Sequence, residues 1–156
     1  MDHRVNPIHE QIEDICNLSD ELLQKEYEEY ETQIPKNLAP PATFWSGYNE
    51  KQIKYGLQSC LLLWIASFSK LVPRECQLRA IISTMSGQDS LIDVGTGNGK
   101  TLCMILPCLL SPKTISIVIS PLKRLQAVQV LEFERYHVNT VAINEDTPND
   151  PELWKV

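Results

Sequence analysis

Residues 92–101, Ile-Asp-Val-Gly-Thr-Gly-Asn-Gly-Lys-Thr, hold most of the chemistry this chain could do. A short apolar run (Leu91, Ile92, Val94) leads into Gly95-Thr96-Gly97-Asn98-Gly99, and the stretch ends on Lys100-Thr101. Glycines let successive backbone N–H groups converge on one point, because no Cβ obstructs the turn. A helix beginning near Lys100 would add the positive end of its dipole. A lysine amine at that position reaches the β- and γ-phosphates of a nucleoside triphosphate, and a threonine hydroxyl gives Mg²⁺ one ligand. The strict pattern asks for glycine where Val94 stands. The dinucleotide fingerprint G-x-G-x-x-G fails, because its third glycine falls on Lys100. The plain alternative is a glycine-rich turn between a strand and a helix that contains Gly-Lys-Thr and binds nothing.

The elements that must position this loop are readable from periodicity. Residues 8–34 read as one or two acidic helices carrying Leu22, Leu23 and Tyr27, with Asn17, Ser19 or Asp20 as candidate caps. Pro35 ends that stretch, and Pro40-Pro41 marks a linker. Asn49-x-x-Gln52 has the form of a capping box. Ile53, Leu57, Leu61, Trp64, Ile65 and Phe68 then recur at helical spacing, which predicts a core helix. Beyond Pro73 the pattern alternates. Residues 75–85, 100–110 and 122–136 read as helices, while residues 90–94, 114–119 and 140–143 read as strands. That alternation predicts an α/β fold with a parallel sheet, preceded by a helical segment.

Bulk composition narrows the partners. The chain has 156 residues, enough for one ordinary domain, and 43% are hydrophobic. Residues 1–33 hold ten acids against two bases; from the total of −6 that leaves +2 on residues 34–156. An acidic chain is not the usual footprint of a nucleic-acid binder, although the acid lies away from the glycine loop. Five cysteines without a C-x-x-C pair, mostly in apolar contexts, read as reduced buried thiols. The three histidines have no metal-ligand spacing. There is no apolar signal core, and the longest apolar run, residues 61–66, falls far short of the ~20 residues that span a bilayer.

Four features in order give the chain a resemblance to the superfamily 2 helicases of the DEAD/DEAH type, in their RecQ-like branch. Val72-Pro73-Arg74-Glu75-Cys76-Gln77 resembles the upstream motif of that branch, and Gln77 precedes Lys100 by 23 positions, the spacing the branch shows. Gly95–Thr101 is similar to its phosphate loop, whose first position helicases relax to small or apolar residues. Val118-Ile119-Ser120-Pro121-Leu122, with Leu125 and Gln129 after it, resembles the Val-Ser-Pro-Leu motif. Val141-Ala142-Ile143-Asn144 matches the strand that follows. The resemblance covers about half of the chain, roughly residues 70–150.

What the resemblance implies can be stated residue by residue. It implies a partial RecA-like P-loop domain at residues 70–156 and an accessory helical segment at residues 1–69. ATP and Mg²⁺ would be held by Arg74, Gln77, Gly95, Thr96, Gly97, Asn98, Gly99, Lys100 and Thr101, with Thr101 on the metal. Gln77 would read the adenine edge, with Arg74 beside it; the alternative for Gln77 is a surface-helix glutamine. Single-stranded nucleic acid, DNA before RNA, would meet Ser120, Pro121, Lys123 and Arg124, for which the alternative is a solvated basic turn. No aromatic residues are interleaved there, so base stacking has no support. A eukaryotic DNA helicase of this kind would work in the nucleus.

The departures bear on activity. Asn98 stands where the loop often has Gly or Ser, a substitution the backbone's role in phosphate binding tolerates. Val128 stands where an acidic residue often precedes the motif's glutamine. Asp93 lies on the strand before the loop and does not replace a metal-holding carboxylate. No Asp-Glu box, second motor domain or arginine finger occurs in these residues, and phosphoryl transfer needs such groups. The expectation is therefore a truncated helicase portion that binds ATP and, alone, hydrolyses essentially none. Two other classes stay open: a P-loop small-molecule kinase, which gives no reason for Gln77 or Ser120-Pro121-Leu122, and a non-catalytic relic acting as an interaction protein through its acidic helices.

Overall fold

The computed structural model describes residues 7–95 and 97–148, and the regular structure among them is entirely helical. The helices are α1 (Pro7–Asn17), α2 (Asp20–Gln33), α3 (Ala42–Trp45), α4 (Glu50–Ala66), α5 (Glu75–Met85), α6 (Leu102–Leu110) and α7 (Lys123–Arg135). The chain divides into two compact units, one reaching to Ser116 and the other starting at Ile117.

In the first unit α4 is the central element, packing against α1, α2, α5 and α6. Its start is fixed by the predicted capping box. Asn49 N donates to Gln52 Oε1 (3.1 Å), and Gln52 N donates to Asn49 Oδ1 (3.0 Å). The burial goes beyond one stripe. Leu57, Cys60, Leu61, Leu62 and Leu63 are all buried, so the helix is covered on most sides. Ser19 caps α2 by accepting from Leu22 N, and α2 turns Leu23, Tyr27 and Tyr30 inward. Tyr30 meets Trp64 edge-on at 5.6 Å, and Tyr27 meets Trp45 at 6.2 Å. Gln58, buried on α4, donates to the carbonyls of Ile15 and Cys16 (3.2 and 3.1 Å), which satisfies the last turn of α1. The helices expected at residues 8–34, 49–69 and 75–85 therefore form close to where periodicity put them. Phe68 is the exception: it lies past the end of α4, 63% exposed, with φ +54°.

The expected α/β class needs correcting. No described residue lies in a strand, so no parallel sheet forms among the described residues. Residues 90–94, 114–119 and 140–143 run as irregular chain, with Leu91 98%, Ile117 85% and Ile119 92% exposed. Strand propensity records how well a side chain suits a pleated, half-buried surface. The backbone gain comes only when a neighbouring strand completes the ladder, and these three segments make no ladder among themselves. The three segments are β-branched runs that carry no sheet.

In the second unit α7 buries Phe133, and Tyr136 follows just past its end. A turn at residues 144–147 is tied to the start of α7. Asn144 Nδ2 donates to Gln126 Oε1 (3.0 Å), and Gln126 Nε2 donates to Ser120 O (2.8 Å). No helix among the described residues is long and apolar enough to cross a membrane.

Candidate functional site

The glycine loop and the start of α5 are joined in space, although 23 positions separate Gln77 from Lys100. Gln77 is the third residue of α5, 3% exposed. Its Oε1 accepts from Arg74 N (2.8 Å), capping the helix start. Its Nε2 donates to Asn98 O (3.2 Å) and Gly99 O (3.0 Å). The side-chain amide thus fastens the loop to α5, and Gln77 is not a surface-helix glutamine. Arg74 is exposed, and its guanidinium donates to Asn98 Oδ1 at 2.6 Å.

Glycine is required where the loop turns. Gly97 and Gly99 have φ of +81° and +67°, the region that favours glycine. A Cβ on Gly99 would also sit 2.6 Å from Gln77 Nε2. The loop closes on itself elsewhere: Lys100 Nζ donates to Val94 O (2.8 Å), and Asn98 Nδ2 donates to Gly95 O (3.1 Å). Thr101 leads into α6, its carbonyl accepting from Met104 N and Ile105 N. The loop therefore meets Arg74 and Gln77 at Asn98 and Gly99, with Gly95 joined through the Asn98 side chain and Lys100 and Thr101 following in the chain. Thr96 lies outside the described residues.

These groups suit a triphosphate in kind. Lys100 is exposed with a compact cation, and Thr101 offers one hydroxyl at the start of a helix. An open pocket of about 380 Å³ lies beside Arg74, lined also by Leu38, Pro40, Val72, Pro73 and Cys76. The sequence marked residues 35–41 only as a break between helices. What it concealed is that this proline-rich stretch returns to flank Arg74, a non-local placement with no local pattern.

The other predicted positions, Ser120, Pro121, Lys123 and Arg124, lie in the second unit around the start of α7. Ser120 is half-buried, and the other three are exposed. Lys123 Nζ pairs with Asp146 Oδ2 (2.7 Å) and with Glu145, and both carboxylates raise the lysine's pKa. Its charge is thus matched locally by two acids of the 144–147 turn, a pairing that spacing alone did not reveal.

Comparison with known proteins identifies a family over the second half of the chain. The DEAD/DEAH box helicase family matches residues 74–152, half of the chain. The chain is 38% identical over 77 residues to a putative ATP-dependent DNA helicase Q1 of Caenorhabditis briggsae, covering 49% of this chain and 12% of that protein. It is 29% identical over 119 residues to the ATP-dependent DNA helicase Q-like SIM of Arabidopsis thaliana, covering 71% of this chain and 14% of that one. Over 57 residues it is 47% identical to the RecQ-like DNA helicase BLM of Xenopus laevis, covering 36% of this chain and 4% of the relative. No solved structure matches. The chain belongs to the DEAD/DEAH box helicase family, in its RecQ-like branch. It spans about an eighth of the length of the first of these relatives.

Proposed function

We propose that this chain carries nucleotide-engaging residues of an ATP-dependent DNA helicase. The phosphates of ATP would lie against residues 95–101, with Lys100 on the β- and γ-phosphates and Thr101 giving one ligand to the accompanying Mg²⁺. That ion would supply charge neutralisation between the phosphates. The base would lie beside Arg74, against the apolar wall of Leu38, Val72 and Pro73. The observation that supports this reading best is the seating of Gln77 on Asn98 and Gly99, which holds the start of α5 against the loop. A small-molecule kinase gives no reason for that pairing.

For Gln77 to read an adenine, its amide must exchange its present partners for the base edge. Ser120, Pro121, Lys123 and Arg124 are the proposed contacts to the backbone of single-stranded DNA, through hydroxyl, helix N-terminus and charge. Lys123 would have to leave Glu145 and Asp146 to take part.

Isothermal titration of the 156-residue chain with ATP and GTP tests the reading. The expected result is weak ATP binding that Lys100→Ala abolishes, with GTP weaker still. Gln77→Ala should bring ATP and GTP level, the adenine edge losing its amide partner at a cost of about 1–3 kcal/mol. Equal affinity for the two nucleotides in the unaltered chain counts against adenine recognition. ATP binding that survives Lys100→Ala counts against the loop.

A further inference from the structure

Asn98 makes more contacts with the site around it than its place in the loop requires. Its Oδ1 accepts from Arg74 Nη1 (2.6 Å), its Nδ2 donates to Gly95 O (3.1 Å), and its carbonyl accepts from Gln77 Nε2 (3.2 Å). One residue therefore ties together the guanidinium proposed to face the base, the amide proposed to read it, and the first glycine of the loop. The side-chain share of this belongs to asparagine. Glycine has nothing to reach Arg74, and a serine hydroxyl is too short to span Arg74 and Gly95 together. The Arg74 contact is charge-assisted and short, so it outweighs an ordinary exposed hydrogen bond.

From these contacts we propose that Asn98 is a latch. It holds Arg74 on the loop and draws the loop in over Gly95, beside the Lys100–Val94 contact. A triphosphate entering the loop must displace both side-chain bonds. Their release then frees Arg74 toward the base, so phosphate binding and base recognition are coupled through one side chain. The inference rests on the nucleotide reading above. It differs from a direct ligand role for Asn98 in the sign of its consequence. A ligand that must break the latch binds more weakly for it, because part of its interaction free energy goes into changing the loop's state.

The test is Asn98→Ala, which removes both side-chain bonds while keeping a Cβ and so adding no glycine flexibility. Hydrogen exchange of amides in residues 95–102 is followed without ligand, and the affinities for ATP and inorganic tripolyphosphate are measured by titration. Exchange is expected to quicken, and both affinities to rise roughly three- to tenfold, the scale of one or two partly exposed hydrogen bonds. Tripolyphosphate has no base, so its gain isolates loop opening from base contacts. Unchanged exchange overturns the latch, whatever the ligands do. Faster exchange with weaker binding also overturns it, because Asn98 then holds the loop in its binding form. If the unaltered chain binds neither ligand while Lys100→Ala is likewise silent, the nucleotide reading falls and takes the latch with it. If the unaltered chain binds and Asn98→Ala binds equally, only the latch falls.

Discussion

Gly99 shows how tightly a single position can be specified. Its φ of +67° is one that residues with a Cβ rarely adopt, and the Gln77 amide fills the space a Cβ would take. Gly97 has φ +81° but open space around it, so its constraint is conformational alone. Gly99→Ala is therefore expected to lose about 1–3 kcal/mol at the loop, from strain together with a displaced buried amide. Gly97→Ala should lose only the strain. Nucleotide titration and thermal melting of the two variants provide the check. Equal effects would mean that the Gln77–Gly99 approach contributes nothing.

Among the elements, α4 depends on a glycine for a different reason. Gly56 sits inside the helix, where alanine is ordinarily better by about 1 kcal/mol. Here a Cβ would stand 2.4 Å from the Trp45 ring and 3.3 Å from Ile82 Cδ1. The ring is rigid and also packs against Phe44 (4.8 Å) and Tyr27, so it has little room to withdraw. Overpacking should win, and Gly56→Ala should destabilise the chain by about 1–3 kcal/mol. In a Trp45→Ala background the same change should become neutral or stabilising. Urea midpoints of the four proteins decide the matter, and stabilisation by Gly56→Ala alone would refute the clash. The element scale is also where expectation and structure parted. The helices were legible because caps such as Asn49/Gln52 and 3.6-residue spacing act within a few residues. The strand segments were legible only as β-branched runs, since pairing depends on chain elsewhere.

At the scale of the molecule, the first unit's core carries a response to alkali. Burial pushes the Cys16 thiol up from 9.0 to about 11, with Glu13 adding to the effect. Burial likewise raises the phenols of Tyr27 and Tyr30 and the thiol of Cys60 above their ordinary ranges. All four are neutral when protonated. Their folded pKa values exceed the unfolded ones, so their contribution is complete below the unfolded values of 9.0 for cysteine and 10.0 for tyrosine. It is lost as the pH rises beyond those values toward the folded ones. Denaturant midpoints should be level from pH 7 to 8.5 and fall steadily between pH 9 and 11. A midpoint that holds constant to pH 11 would contradict the burial of these groups.

By itself the sequence determined the helical segments, the loop at residues 95–101, the Gln77–Lys100 spacing and, through them, the family. Each of these is local, or is a spacing between local patterns, and capping, glycine conformation and periodicity act over a few residues. Only the tertiary structure decided that Gln77 is buried on Asn98 and Gly99, that Leu38 and Pro40 flank Arg74, and that Lys123 is matched by Glu145 and Asp146. It also decided that the β-branched segments form no ladder. These outcomes join residues far apart in the chain. A side chain's type fixes which bonds it can make, and packing across the chain selects the partners that receive them.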